Sequence, residues 1–173
     1  SKDAQTAYDA GAKGVMMFRW GLSNFIDFNK LNTHEITPSY GDSVSINSIL
    51  AASASLKKYI EDKGVLPKFV TVGNFNYTVP QFLYLMTKAT EGIANGNLKE
   101  ITAILVNASS KTSGDVINKQ LVKSEFVSLA KTLSSYMSAN GIAPGNVSST
   151  LGDIKYESLI YAYARVLSYY QSN

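Results

Sequence analysis

GVLPKFVTVGNFNYT, residues 64–78, decides how the rest of the chain is read. Gly64 and Pro67 bracket two apolar residues, a combination that ends a helix and prevents it from resuming. FVTV and FNYT then flank Gly73-Asn74, the signature of two short strands joined by a tight turn. Thr78-Val79-Pro80-Gln81 fits a capping box, in which Gln81 reaches back to the residue that starts the next helix. The stretch therefore predicts a helix stop, a minimal hairpin and a helix start.

The same grammar returns 77 residues later in GIAPGNVSSTLGDIK, where Gly141 and Pro144 stand in the places of Gly64 and Pro67. At that offset Leu56 matches Leu133, Tyr59 matches Tyr136, Val70 matches Val147 and Tyr84 matches Tyr161. The register holds without a gap from Val44 to Ile93 and from Leu121 to Tyr170, with similar residues such as Ile60/Met137 and Lys88/Arg165 between the identities. This is an internal duplication.

Each copy predicts a first helix with one apolar face. In copy one that face is Ile46, Ile49, Leu50, Ser53, Leu56 and Ile60, and in copy two it is Phe126, Val127, Ala130, Leu133 and Met137. Ser45 is a good N-cap for the first, whereas Val122 holds that slot in the second. The second helices are QFLYLMTKATEGI, stopping at Asn95-Gly96, and YESLIYAYARVLSYY. Strand character is weaker in NVSSTLGDI than in its counterpart. The expected fold is mainly α with small β hairpins (α+β), built from two tandem helix–hairpin–helix repeats. A unit of about fifty residues is marginal alone, so the copies should pack on each other.

The expected organisation is an α/β fragment over residues 1–31, a polar linker over 32–43, repeat 1 over 44–96, a connector over 97–120 and repeat 2 over 121–173. LKEITAILV in the connector reads as one strand. In the N-terminal part, GVMMFRW has the continuous apolar character of a strand buried on both faces. Such a strand needs neighbours that this sequence does not supply, so a further N-terminal domain is expected. AGAKGVMMFRWG resembles the closing helix and strand of a glycoside-hydrolase-type (β/α)-barrel, which would put Arg19, Trp20 and Gly21 near the active-site end. Filling a core explains them as well.

Composition excludes several classes of chemistry. The chain has 173 residues, 45% of them hydrophobic, and no cysteine, which removes disulfides, thiolate metal sites and cysteine nucleophiles. A single histidine, His34 beside Glu35, cannot build a histidine metal site. The net charge of +3 is no nucleic-acid signature, and no apolar run approaches a membrane span. Eleven tyrosines are the compositional oddity; each offers a flat apolar face with a hydroxyl at its tip, which suits sugar and glycopeptide surfaces or the edge of a core.

YIEDKGVLPKFVTV and YTVPQFLYLMTKA, with FVSLAKTLSSYMSANGIAPGNVSSTLG and YESLIYAYARVLSYY in copy two, resemble the pseudomurein-binding repeat. That family occurs in surface proteins and wall-cleaving enzymes of methanogenic archaea. The resemblance covers residues 44–173; Leu66-Pro67-Lys68 with Phe69-Val70 after it, and residues 81–85 (QFLYL), carry it most specifically. Copy two departs from the pattern at Ala143-Pro144-Gly145-Asn146, where the aromatic residue is lost.

The resemblance implies an extracellular, non-catalytic module that anchors a larger protein to the wall polymer pseudomurein, a glycan cross-linked by peptides, without cofactor or metal. Partners would be that polymer and the N-terminal domain, with no nucleic acid and no membrane insertion. Candidate ligand-binding residues are Asn76, Tyr77, Gln81 and Tyr84 in copy one and Tyr156, Tyr161 and Arg165, beside Lys155, in copy two. Tyr59 and Tyr136, next to the apolar stripe, read as structural. Lys57-Lys58 and Lys63/Lys68 fit acidic wall groups or a solvated helix face. Sequons at Asn76, Asn107 and Asn146 allow glycosylation in an exported protein. Two other readings are the tail of a carbohydrate-active enzyme and an envelope protein that uses its repeats for protein–protein contact.

Overall fold

The computed structural model describes residues 39–115 and 119–171. The expected α/β fragment, the GVMMFRW strand, His34 and most of the linker lie outside the described residues.

Helix α1 (Ile46–Lys63) starts where the Ser45 hydroxyl accepts a hydrogen bond from the Ser48 amide at 3.1 Å. It ends at Gly64, whose φ of 69° is the left-handed conformation that glycine adopts without a Cβ penalty. Strands β2 (Phe69–Val72) and β3 (Phe75–Thr78) follow as an antiparallel hairpin, with Val70 opposite Tyr77 and Thr71 opposite Asn76. Helix α2 (Val79–Ala94) starts at Thr78 with the expected capping box, Thr78 accepting from the Gln81 amide and Gln81 Oε1 accepting from the Thr78 amide.

Every one of these elements has a counterpart 77 positions on. Helix α3 spans Lys123–Asn140, strands β5 and β6 span Asn146–Ser149 and Gly152–Lys155, and helix α4 spans Tyr156–Gln171. Gly141 ends α3 with a φ of 65°. Val122 gives α3 no side-chain cap. Instead the Glu125 carboxylate in its first turn accepts from the amide and hydroxyl of Thr150 at 2.7 Å each, closing the turn of the second hairpin. That hairpin forms despite its weak strand composition, because its register is held at the turn and at its outer edge.

The two halves share one core. Helix α1 packs chiefly on α4 and helix α2 on α3, so each half's first helix rests on the other half's second. Of the sixteen residues of α2, eleven are buried, against six in α4. Helix α2 is thus surrounded on most of its circumference, while α4 keeps a solvent face. Phe82, Leu83, Leu85 and Met86 from α2, Leu133 and Met137 from α3, Leu159 and Ile160 from α4 and Ile49 from α1 are all fully buried. Separating the halves would expose these side chains at roughly 1.5–3 kcal/mol each.

The described parts of the segments expected to be linker and connector are built into this unit. Strand β1 (Ser43–Val44) pairs antiparallel with β4 (Ile101–Thr102), and the pairing is extended by the Gly41 amide donating to Ala103 O at 2.7 Å and the Ala103 amide donating to Asp42 O at 2.9 Å. The strand expected over residues 98–106 is only two residues long because its partner strand is equally short. Further on, Asn107 pairs in parallel with Ile142 and Asp115 with Ile154, so residues 107–115 run along the edge of repeat 2.

Candidate binding surfaces

Strand alternation sorts the hairpin candidates. Asn76 is half-buried on the outer face, where its carboxamide oxygen accepts from Thr71 Oγ1 at 2.8 Å. Its carbonyl accepts from the Ser39 amide at 2.9 Å. Tyr77 points the other way and is fully buried, with its hydroxyl directed at Asp42 over a long 3.5 Å. Burial, and then the Asp42 carboxylate, push the Tyr77 hydroxyl up to about 12. Its ring belongs to the core and is not available as a stacking face.

Gln81 is also buried. Its amide nitrogen donates to Ser39 O at 2.9 Å and Ile104 O at 3.2 Å, in addition to the capping-box contacts. Asn76 and Gln81 therefore meet around Ser39 and fasten the incoming chain to the start of α2. Tyr156, at the start of α4, is buried with a hydroxyl that has no hydrogen-bond partner among the described residues, and burial followed by the neighbouring Glu157 raises its pKa. Tyr77, Gln81 and Tyr156 are spent on the interior, which corrects the expectation that they form a contact surface. A tyrosine or glutamine beside a hairpin has the same sequence signature whether its tip faces a ligand or the fold.

The remaining candidates lie at two counterpart places on the second helices. Tyr84 is itself buried, 8% exposed against 7% for Tyr156, but what remains of its surface lines a cleft of about 400 Å³ that α2 forms with the residues following it. Lys88, Glu91, Asn95, Asn97, Lys99, Glu100 and Thr102 supply its polar lining and Ile46 part of its apolar wall. Lys88 Nζ lies 3.4 Å from Glu91 Oε2, while the other Glu91 oxygen accepts from the Ser134 hydroxyl of α3. This cleft offers two ammoniums, two carboxylates and two carboxamides around one edge of a tyrosine, a set able to hydrogen-bond sugar hydroxyls and amides.

In copy two, Tyr161 and Arg165 occupy the places of Tyr84 and Lys88 on an open helix face, Tyr161 half-buried and Arg165 exposed. The Tyr161 hydroxyl donates to Glu61 Oε1 at 2.8 Å, and Lys57 Nζ stands 3.1 Å from the other Glu61 oxygen. The Tyr161 hydroxyl, then Lys57, hold the Glu61 carboxyl below its ordinary range, with a smaller contribution from Arg165. The reciprocal effect raises Tyr161. Lys57, Glu61, Tyr161 and Arg165 form a polar seam between α1 and α4. Sequence reasoning missed Glu61, because its partner lies 100 positions away and only the α1–α4 pairing brings them together.

Tyr59 and Tyr136 were expected to pack, yet they are 40% and 45% exposed at matching points of α1 and α3. They add two exposed aromatic faces at equivalent positions. Among the described residues no group of three or more His, Cys, Asp or Glu is placed to hold a metal ion, and no helix is long and apolar enough to cross a membrane. No known protein family, curated protein or solved structure matches the chain.

Proposed function

We infer that this chain is a non-catalytic module that binds pseudomurein and anchors a larger surface protein to the cell wall. The observation that carries this reading is the repeated tyrosine–cation pair, Tyr84/Lys88 in the cleft and Tyr161/Arg165 on the α1–α4 seam. Both pairs stand on second helices of duplicated units that share one core, so their separation is fixed. Two individually weak sites held apart in this way suit a repetitive polymer, because binding at one raises the effective concentration at the other. The resemblance of residues 66–70 and 81–85 to the pseudomurein-binding repeat is what points to this polymer. The reading places the protein outside the cell, at the wall.

The two sites are built differently: one is a cleft roofed by the chain that follows α2, the other an open seam with its carboxylate borrowed from repeat 1. Unequal affinities follow. Sedimentation of the purified chain with isolated pseudomurein, against chitin and bacterial peptidoglycan as controls, tests the reading. Saturable binding to pseudomurein is expected, and retention in the supernatant at low and moderate salt would overturn it.

A further inference from the structure

Three asparagines, Asn76, Asn107 and Asn146, stand in the Asn-X-Ser/Thr pattern of an N-glycosylation acceptor, and wall binding leaves that pattern unused. The fold sorts the three. Asn76 is half-buried in β3 opposite Thr71, whose hydroxyl donates to its carboxamide oxygen at 2.8 Å. The Thr78 hydroxyl of the same sequon caps α2, accepting from the Gln81 amide. Asn146 is half-buried in β5 opposite Lys155. Its Nδ2, the atom a glycan would take, donates to Ser113 Oγ at 3.0 Å. The Ser148 hydroxyl of that sequon donates to Asp153 Oδ1 at 2.6 Å across the hairpin. Both sequons are therefore tied up in hairpin contacts, and the first in a helix cap as well.

Asn107 is held differently. It lies in the connector between β4 and α3, outside every named strand and helix. Its amide donates to Gly141 O and its carbonyl accepts from the Ala143 amide, both at 2.8 Å. The backbone is thus fixed toward residues 141–143, and the side chain stands off that edge, exposed. Burial alternates along both chains here, as it does in extended backbone. Leu105 and Asn107 are exposed on either side of the buried Val106, and Ile142, the pairing partner of Asn107, is exposed beside the buried Ala143. The carboxamide therefore shares its outward side with two aliphatic side chains. The Ser109 hydroxyl donates to Lys111 O at 2.8 Å and accepts from the Lys111 amide at 3.3 Å, a local turn on the surface rather than a cap or a hairpin contact.

We propose that Asn107 is a modification site that carries an N-linked glycan, and that the folded protein is not modified at Asn76 or Asn146. The co-substrate is an oligosaccharide activated on a lipid phosphate. Nδ2 of Asn107 attacks the anomeric carbon, and the bond from that carbon to the phosphate oxygen breaks. The lipid phosphate leaves with the bonding electrons, and one amide proton passes to a base of the transferase. The first sugar ring then lies over Leu105 and Ile142 and takes their aliphatic surface out of water. The proposal rests on the extracellular placement, since this modification belongs to exported proteins. It goes beyond wall binding, because Asn107 belongs to neither tyrosine–cation site.

The test is transfer in vitro to the folded whole chain by a single-subunit oligosaccharyltransferase with a lipid-diphosphate-linked oligosaccharide, read site by site by peptide mass spectrometry. A tryptic digest of the same chain is the reference, since it frees all three sequons and leaves each within one peptide. Asn107 is expected to be modified as fully in the folded chain as in the digest. Asn76 and Asn146 should be modified several-fold less in the folded chain than in the digest. Ser109→Ala, which keeps the acceptor and removes the sequon hydroxyl, should abolish transfer to Asn107. Asn107→Gln should abolish it too, with an unchanged urea midpoint. An Asn107 modified no better than the other two in the folded chain, or left unmodified even in the digest, overturns the proposal. Wall sedimentation separates the two readings. A chain that sediments but is not modified at Asn107 loses only this site, whereas one modified there that stays in the supernatant keeps the site and loses wall binding.

Discussion

Gln81 Nε2 donates to Ser39 O at 2.9 Å, joining the first turn of α2 to a residue 42 positions earlier in the chain. The same nitrogen reaches Ile104 O, so one buried carboxamide holds the incoming segment, the helix start and the connector together. Gln81→Ala would remove a cap partner and strand two carbonyls. A loss of about 2–4 kcal/mol is expected from the cap and the unsatisfied groups together, read as a lower urea midpoint at unchanged slope. A change below half a kilocalorie would show that the carboxamide is not the fastener.

Gly145→Ala tests the packing of the connector on repeat 2. The added methyl would collide with the Lys111 backbone, which cannot swing away as a side-chain tip can. We expect destabilisation of about 2 kcal/mol or more and loss of exchange protection at Asn107 and Ala143. The mirror substitution Lys68→Gly should leave repeat 1's hairpin in place.

The difference between copy two and copy one at residues 143–146 has a physical cause. Ala143 is fully buried and Gly145 is in contact with the connector, so small residues are required where copy one carries Leu66 and Lys68. Helix limits, both glycine stops, the capping box and both hairpins were legible in the sequence because local chemistry determines them. The inward turn of Tyr77 and Gln81 was not, since it depends on Asp42, Ser39 and Ile104 reaching them from elsewhere in the chain; nor was the burial of Tyr156. The Glu61–Tyr161 contact was illegible for the same reason: no local period reports which helices of a duplicated unit exchange partners.

Tyr156→Phe is predicted to stabilise the protein. The buried hydroxyl has no partner among the described residues, and its removal relieves a desolvation cost of about 1 kcal/mol or somewhat more while keeping the ring. Thermal or urea unfolding checks the sign. Wall binding should be unchanged, whereas a contact role for the hydroxyl would reduce it.

Alkaline stability follows from the buried tyrosines. Tyr77 is raised to about 12, and Tyr156 and Tyr163, the latter a fully buried residue of α4, are raised by burial as well. Each folded pKa lies above the unfolded value near 10, so the stabilisation is whole below pH 10. It is lost as the pH rises, because the unfolded chain releases these protons first. Absorbance at 295 nm should show most tyrosines titrating near pH 10 and a delayed group ionising only with unfolding. A single smooth titration of all tyrosines would contradict the burial.

Acid behaviour probes the α1–α4 seam. Glu61 is held below its ordinary 4.5, so its contribution is present above that value and is lost as the pH falls through the lowered folded pKa. Tyr161→Phe deletes the largest cause and should move the Glu61 carboxyl midpoint upward in a carbon-detected NMR titration. An unmoved midpoint would mean that Lys57 alone sets it.

The central claim, that two fixed tyrosine–cation sites grip one polymer, is tested most directly by binding isotherms on purified pseudomurein for the intact chain, Tyr161→Ala/Arg165→Ala and Lys88→Ala. The account predicts saturable binding of the intact chain, and a loss on the order of 10²-fold in apparent affinity when either site is removed, as the avidity is lost. Isotherms that superimpose for all three chains, or an intact chain that does not bind, would contradict it.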